Sequence, residues 1–291
     1  MRTPTRLAAF GLGLVAVFGA AFGLGRLAGP DTGGTATGHS GSGGTMQPWS
    51  ASSPGGLQIS ERGYTLELSA PTAPIGSSSL TFSVLGADGR AATSFATREG
   101  RQMHVVLVQR DTTGFVHLHP TMDARGTWAV PVDLRSGCYR VFADFQPAGR
   151  NPLTLGADLT VSGGSHPGLL PEPAADSYVD SYMVRKTGRL APGNSSTLSF
   201  DVTRNGRRID RQSLNGAAHL VVLRVGDLAY LRVRLASDWN TFDVETPSPG
   251  TYRLFLEFRD GNTVRVAEFT EVAAAGGGAP TPPAIGHTEH K

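Results

Sequence analysis

Gly137-Cys-Tyr-Arg-Val-Phe-Ala-Asp-Phe145 and Gly250-Thr-Tyr-Arg-Leu-Phe-Leu-Glu-Phe258 are one pattern written twice. In both, a glycine opens the run and apolar residues then recur at every second position, a strand period and not a helical one. The alternation puts Tyr139, Val141, Ala143 and Phe145 on one face of the first copy and Arg140, Phe142 and Asp144 on the other.

The match extends in both directions. Tyr64 answers to Tyr182, Leu80-Thr-Phe-Ser-Val84 to Leu198-Ser-Phe-Asp-Val202, and His104-Val-Val-Leu107 to His219-Leu-Val-Val222. Gly126-Thr-Trp-Ala-Val130 answers to Asn240-Thr-Phe-Asp-Val244. The offset falls from 118 at Tyr64 to 113 at Phe145, so small deletions lie between the motifs, where loops accept them. The chain is a duplication of a unit of about 100 residues.

Within a unit, Leu80–Leu85, His104–Gln109, Phe115–His119, Thr127–Val132 and Tyr139–Phe145 read as strands, separated by turn residues such as Asp111-Thr-Thr-Gly114. The expectation is an all-β protein of two tandem immunoglobulin-like or cupredoxin-like sandwiches. Repeat 1 is set at 56–162, a Pro/Gly linker at 163–176, repeat 2 at 177–273 and a tail at 274–291. The 38 glycines and 19 prolines argue against a long-helix protein.

The N-terminus reads differently. Arg2 and Arg6 precede Leu7–Gly25, nineteen residues without a charge, and Arg26 follows. Such a segment, at ~1.5 Å per helical residue, spans ~28 Å, close to the hydrocarbon thickness. Residues 1–29 are read as a transmembrane helix with its N-terminus in the cytoplasm, the rival being a cleaved signal peptide. Residues 30–55, rich in Gly, Ser and Thr, are read as a flexible tether. Both readings place the repeats outside the cytoplasm.

Net charge is +2, with 26 basic and 24 acidic residues and no block of one sign, which speaks against nucleic acid as a partner. The single cysteine, Cys138, excludes an intramolecular disulfide and a multi-cysteine zinc site. It is read as a small buried filler, aligned with Thr251. No H-E-x-x-H, G-x-S-x-G or P-loop is present, and no enzyme is expected.

One constellation points to chemistry: Phe115-Val-His-Leu-His-Pro120. On a strand, His117 and His119 share a face, ~7 Å apart at the backbone. A hairpin centred on Thr112-Thr113 pairs residues whose numbers sum to 225, so His104 lies diagonally beside His119 on that same face. Val105, Leu107 and Leu118 then point into the core, and Met103 and Met122 fall on the wrong face to serve as further ligands. Three imidazoles on one patch suit copper, zinc or nickel. The plainer use is a polar strand face: His104 recurs as His219 without histidine company, which favours a structural role there. His117 and His119 align with Arg232 and Arg234, which cannot ligate an ordinary metal, so any metal site belongs to repeat 1. The arginines are read as a solvated strand face, the other uses being pairing with Asp227 or Glu257 or an anionic ligand surface.

At His104-Val-Val-Leu107, Phe115–Pro120, Gly126-Thr-Trp128 and Gly137–Pro147, and again at His219–Tyr230, the chain resembles an uncharacterised family of actinobacterial secreted or membrane-anchored proteins. The resemblance covers about residues 57–271. It implies exported β-domains and a link to heavy metals, copper in particular. It also implies His-x-His-Pro in both repeats, a pattern from which Arg232-Val-Arg-Leu235 departs. Two functions follow as expectations: a membrane-anchored, extracytoplasmic module binding copper or zinc through His117, His119 and His104, or a non-catalytic adhesion or scaffold module with no metal.

Overall fold

The computed structural model describes residues 54–164, 167–209, 214, 218–236 and 238–274. The expected membrane segment, nearly all of the tether and nearly all of the tail lie outside these. Among the described residues there are nineteen strands and no helix.

Repeat 1 contains β1 (Ser60–Glu61), β2 (Tyr64–Leu68), β3 (Thr72–Ala73), β4 (Gly76–Leu85), β5 (Met103–Gln109), β6 (Val116–Leu118), β7 (Thr121–Met122), β8 (Thr127–Leu134), β9 (Gly137–Phe145) and β10 (Leu153–Val161). They form two sheets, β1-β2-β4-β8-β7 and β3-β10-β9-β5-β6. The order β2-β4-β8-β7 is the A-B-E-D sheet of an immunoglobulin sandwich, and β10-β9-β5 is its G-F-C sheet. Repeat 2 contains β11 (Asp176–Val179), β12 (Tyr182–Thr187), β13 (Asn194–Arg204), β14 (Arg207–Arg208), β15 (His219–Arg224), β16 (Val233–Leu235), β17 (Thr241–Thr246), β18 (Gly250–Asp260) and β19 (Thr263–Ala273). Its sheets run β11-β12-β13-β17-β16, with β14 beside β13, and β15-β18-β19, which repeats the same plan. The strand order selects the immunoglobulin-like form of the expected sandwich.

Each repeat also closes a tyrosine corner where the copied Gly-x-Tyr motif begins. The Tyr139 hydroxyl accepts the Arg135 N–H at 3.2 Å, and the Tyr252 hydroxyl donates to the Ser248 carbonyl at 2.7 Å. The shared Gly-x-Tyr of the two motifs is thus a turn and its latch.

The two faces of β9 sort as the alternation requires. Tyr139, Val141, Ala143 and Phe145 join Phe82, Phe95 and Trp128 in the core of repeat 1. Phe142, on the other face, is fully buried too, in a separate apolar cluster of Val106, Val108 and Phe142 from repeat 1 and Val221, Leu223, Leu228 and Phe255 from repeat 2. The outer face of the β5–β9 sheet therefore packs against the outer face of β15–β18. The seam is pseudo-symmetric. Phe115 stacks on Phe255 with centroids 4.2 Å apart, while Tyr230, the counterpart of Phe115, packs on Phe142, the counterpart of Phe255, at 5.3 Å. Residue i meets j′ and j meets i′, the arrangement of an isologous dimer within one chain.

The chain enters at this seam. Gly55 exchanges two backbone hydrogen bonds with Tyr230, at 3.0 and 2.9 Å, and the Gly56 N–H donates to the Thr154 carbonyl at 2.7 Å. Gly56 has φ +74°, and a Cβ there would stand 2.4 Å from the Phe142 ring. Only glycine passes at that point.

Two expectations need correction. Cys138 is exposed, because alternation from buried Tyr139 turns it outward beside the equally outward Thr160. The β5–β6 hairpin pairs Val105 with Leu118 and Val106 with His117, a sum of 223 and not 225. The loop between them closes through Thr112, at φ 68°, whose N–H donates to the Gln109 carbonyl. A slip of two residues preserves side-chain parity, so the histidine face survives the error.

Candidate metal centre

Four histidines meet at one end of the seam. His104 is the second residue of β5 and lies across from Asp144 on β9; His219 opens β15 and lies across from Glu257 on β18. His117 sits in β6, and His119 follows β6 and precedes Pro120, opposite His104 if the register is continued. One ring nitrogen from each of His104, His117 and His119 lies within 4.8 Å of the other two. The His219 ring stacks on His117 at 4.5 Å and on His104 at 5.6 Å. His104 is 6% exposed and the His117 side chain 1%.

The acceptors around the rings assign their protons. His104 Nε2 is 3.2 Å from the Arg98 carbonyl, which can only accept, so that nitrogen carries the hydrogen. His117 Nδ1 is 3.1 Å from the Glu257 carboxylate, and His219 Nδ1 is 3.1 Å from the Glu99 carboxylate. In its neutral form each ring therefore donates outward and turns a lone pair inward. His104 Nδ1 and His117 Nε2 then face each other at 3.1 Å. Two lone pairs at that distance require a cation between or beside them, a proton or a metal ion. The His219 Nε2 atom is buried with no hydrogen-bond partner among the described residues.

The carboxylates are held ionised. The hydrogen bond from His219 draws Glu99 down to about 2 against the effect of burial. Burial pushes Glu257 up, but the hydrogen bond and charge of His117, with the charges of His219 and His119, outweigh it and leave it below the usual range. Two of the imidazoles, His119 and His104, are held toward the neutral form. Burial, then the charges of His117, His104 and Arg101, lowers His119 to about 4. Burial also lowers His104, against the Arg98 carbonyl, which favours its protonated form. Asp144 is taken by Arg98 at 3.2 Å and by the Thr154 hydroxyl at 2.9 Å.

A two-residue turn supplies much of this shell. Arg98 and Arg101 exchange backbone hydrogen bonds at 2.7 and 2.9 Å. Between them Glu99 and Gly100 both have positive φ, 50° and 78°, as a type I′ turn demands. A glutamate in that region is strained by ~1–2 kcal/mol, and here it reaches across the seam to His219.

Sequence reasoning brought His104, His117 and His119 together but set His219 apart. The structure corrects this: His219 joins them because the seam packs its sheet onto theirs. Glu99 and Glu257 were likewise not placed in the site. Glu257 serves His117, and not an arginine of repeat 2; Asp227 pairs with Arg224, and Arg234 with Glu245 at 2.6 Å. Arg234 leaves the face equivalent to His119 because Val233–Leu235 joins β17 in the opposite sheet. Met103 and Met122 pack on the core, as their faces indicated.

Two segments, 59–163 and 177–275, match a family described as a domain of unknown function, DUF8832. The chain belongs to this family. Its two matched segments coincide with the two sandwiches that form the seam. No curated protein matches the sequence. Solved structures similar to the chain include the Escherichia coli adhesin FdeC, 14% identical with a TM-score of 0.26, covering 74% of this chain and 65% of that one. They include the Yersinia pseudotuberculosis adhesin InvE, 12% identical with a TM-score of 0.21, covering 74% and 60%. The FN1–FN3 domains of chicken CNTN1 are 11% identical with a TM-score of 0.23, covering 77% and 67%. The chain thus spans less than two thirds of either adhesin chain. At such TM-scores these neighbours say nothing about what this chain binds.

Proposed function

We propose that this protein is a non-catalytic, extracytoplasmic module, anchored through Leu7–Gly25, that holds one copper or zinc ion in the seam between its two sandwiches. His104 Nδ1, His117 Nε2 and a nitrogen of His119 are the ligands. The observation that carries the reading is the approach of His104 Nδ1 to His117 Nε2 at 3.1 Å, with His119 a third ring nitrogen within 4.8 Å. In a tetrahedral site with Zn–N near 2.0–2.1 Å, ligand nitrogens stand roughly 3.3 Å apart. The outward N–H groups end on a carbonyl and a carboxylate, the partners that fix the tautomer and orientation of metal-bound histidine. His104 and His119, held toward the neutral form, meet the ion without first losing a proton.

Calorimetric titration of Zn(II) and Cu(II) into the full chain tests this. One equivalent should bind, and the double variant His117→Arg, His119→Arg, which writes repeat 2's residues into repeat 1, should lose that binding. Equal uptake by the two proteins would remove the site.

A second reading keeps the seam and drops the ion. Seven apolar side chains buried between the repeats make one rigid double sandwich without any metal. Such a body suits adhesion or scaffolding at the cell surface, and a silent titration would leave that reading in place.

A further inference from the structure

We infer that the ion is shared: His219 of repeat 2 is its fourth protein ligand, so that metal binding staples the two sandwiches together. This rests on the metal reading above.

Three observations carry it. His219 Nδ1 is committed to Glu99 at 3.1 Å, so the neutral ring directs its Nε2 lone pair elsewhere. That Nε2 atom is shut away from solvent and has no hydrogen-bond partner among the described residues. A buried nitrogen left unsatisfied is unfavourable, and coordination would remove that cost. The ring is also already in contact with the ligand set, 4.5 Å from His117 and 5.6 Å from His104 between centroids. His219 stands outside the 4.8 Å set of the other three, so its ring must turn toward them on binding.

The outer shell crosses the seam in both directions. Glu257 of repeat 2 orients His117 of repeat 1, and Glu99 of repeat 1 orients His219 of repeat 2. An ion held by this set is bound only while the two outer faces are together. Two ionised carboxylates one shell away balance the charge of a divalent cation, and four imidazole nitrogens suit tetrahedral Zn(II) or tetragonal Cu(II). A ligand that binds the docked arrangement and not the separated one stabilises docking by mass action.

The test uses the full chain and Zn(II), by calorimetry and by thermal unfolding with and without the metal. His219→Ala and His219→Gln are both measured; glutamine keeps a donor for Glu99 and guards against a folding failure. Loss of a ligand should weaken Zn(II) by at least ~10–100-fold in both variants at unchanged stoichiometry, the scale already seen when an outer-shell partner is removed. Zinc should also raise the melting temperature of wild type more than that of either variant. Wild-type affinity in both His219 variants, with binding still abolished by His117→Arg, His119→Arg, would overturn the staple and leave a repeat 1 site standing. Absence of binding by wild type would overturn both.

Discussion

Phe255→Ala removes the ring at the centre of the seam and probes how firmly the repeats are joined. Phe255 is fully buried and stacked on Phe115 at 4.2 Å with only 7° between the planes. A buried Phe→Ala change costs ~3–5 kcal/mol, of which an aromatic pair of this kind accounts for ~0.5–1.5. That is roughly a 10²- to 4 × 10³-fold shift in a folding equilibrium at ~1.4 kcal/mol per decade. Because the ring faces repeat 1 and not the core of repeat 2, the loss should fall on the coupling between repeats. Urea unfolding should then resolve two transitions where wild type shows one, or separate them further. The neighbouring Leu254→Ala, whose side chain lies in the core of repeat 2, should instead weaken repeat 2 by itself. A double-mutant cycle with Phe115→Ala should return ~0.5–1.5 kcal/mol. A cost for Phe255→Ala below ~1 kcal/mol with no coupling to Phe115 would refute the seam.

Gly56→Ala should destabilise the protein and free residues 54–57, since it adds positive-φ strain to a 2.4 Å clash with the Phe142 ring; faster proteolysis ahead of β1 and a lower urea midpoint would show it, and a neutral effect would count against the clipped entry strand. In chelator-treated protein, His119, held at about 4, and His104, also lowered, stay neutral in the fold while the unfolded chain takes up protons near ~6.5. Their contribution is therefore complete above pH ~6.5 and is lost as the pH falls from there toward about 4; His119→Gln should flatten that decline, and a stability that rises on acidification through this window would contradict the neutral cluster.

Much of this was legible in the sequence because period-2 alternation and duplication are local signals. The facing of Tyr139 and Phe145 against Phe142, and the shared face of His104, His117 and His119, needed only parity, which survives a two-residue slip in the hairpin. The seam was not legible, because it arises when two outer faces meet and no short-range pattern records that. A trace of it was present: β5 is buried along both faces, with Val106 and Val108 as apolar as Val105 and Leu107, and β15 repeats this with Val221 and Leu223. Strands apolar on both faces need cover on both. Treating Phe142 and Phe255 as residues in search of a partner would have brought His219, Glu99 and Glu257 to His117. Cys138 was misjudged for the opposite reason: its chemistry suggested burial, and its position in the alternation, next to Tyr139, decided exposure.

The most direct measurement of the metal centre is X-ray absorption at the zinc edge on the full chain loaded with one equivalent of Zn(II). A first shell of nitrogen at ~2.0–2.1 Å with the outer scattering of three or four imidazoles is expected. A first shell of oxygen alone, without imidazole scattering, would contradict a histidine centre in the seam.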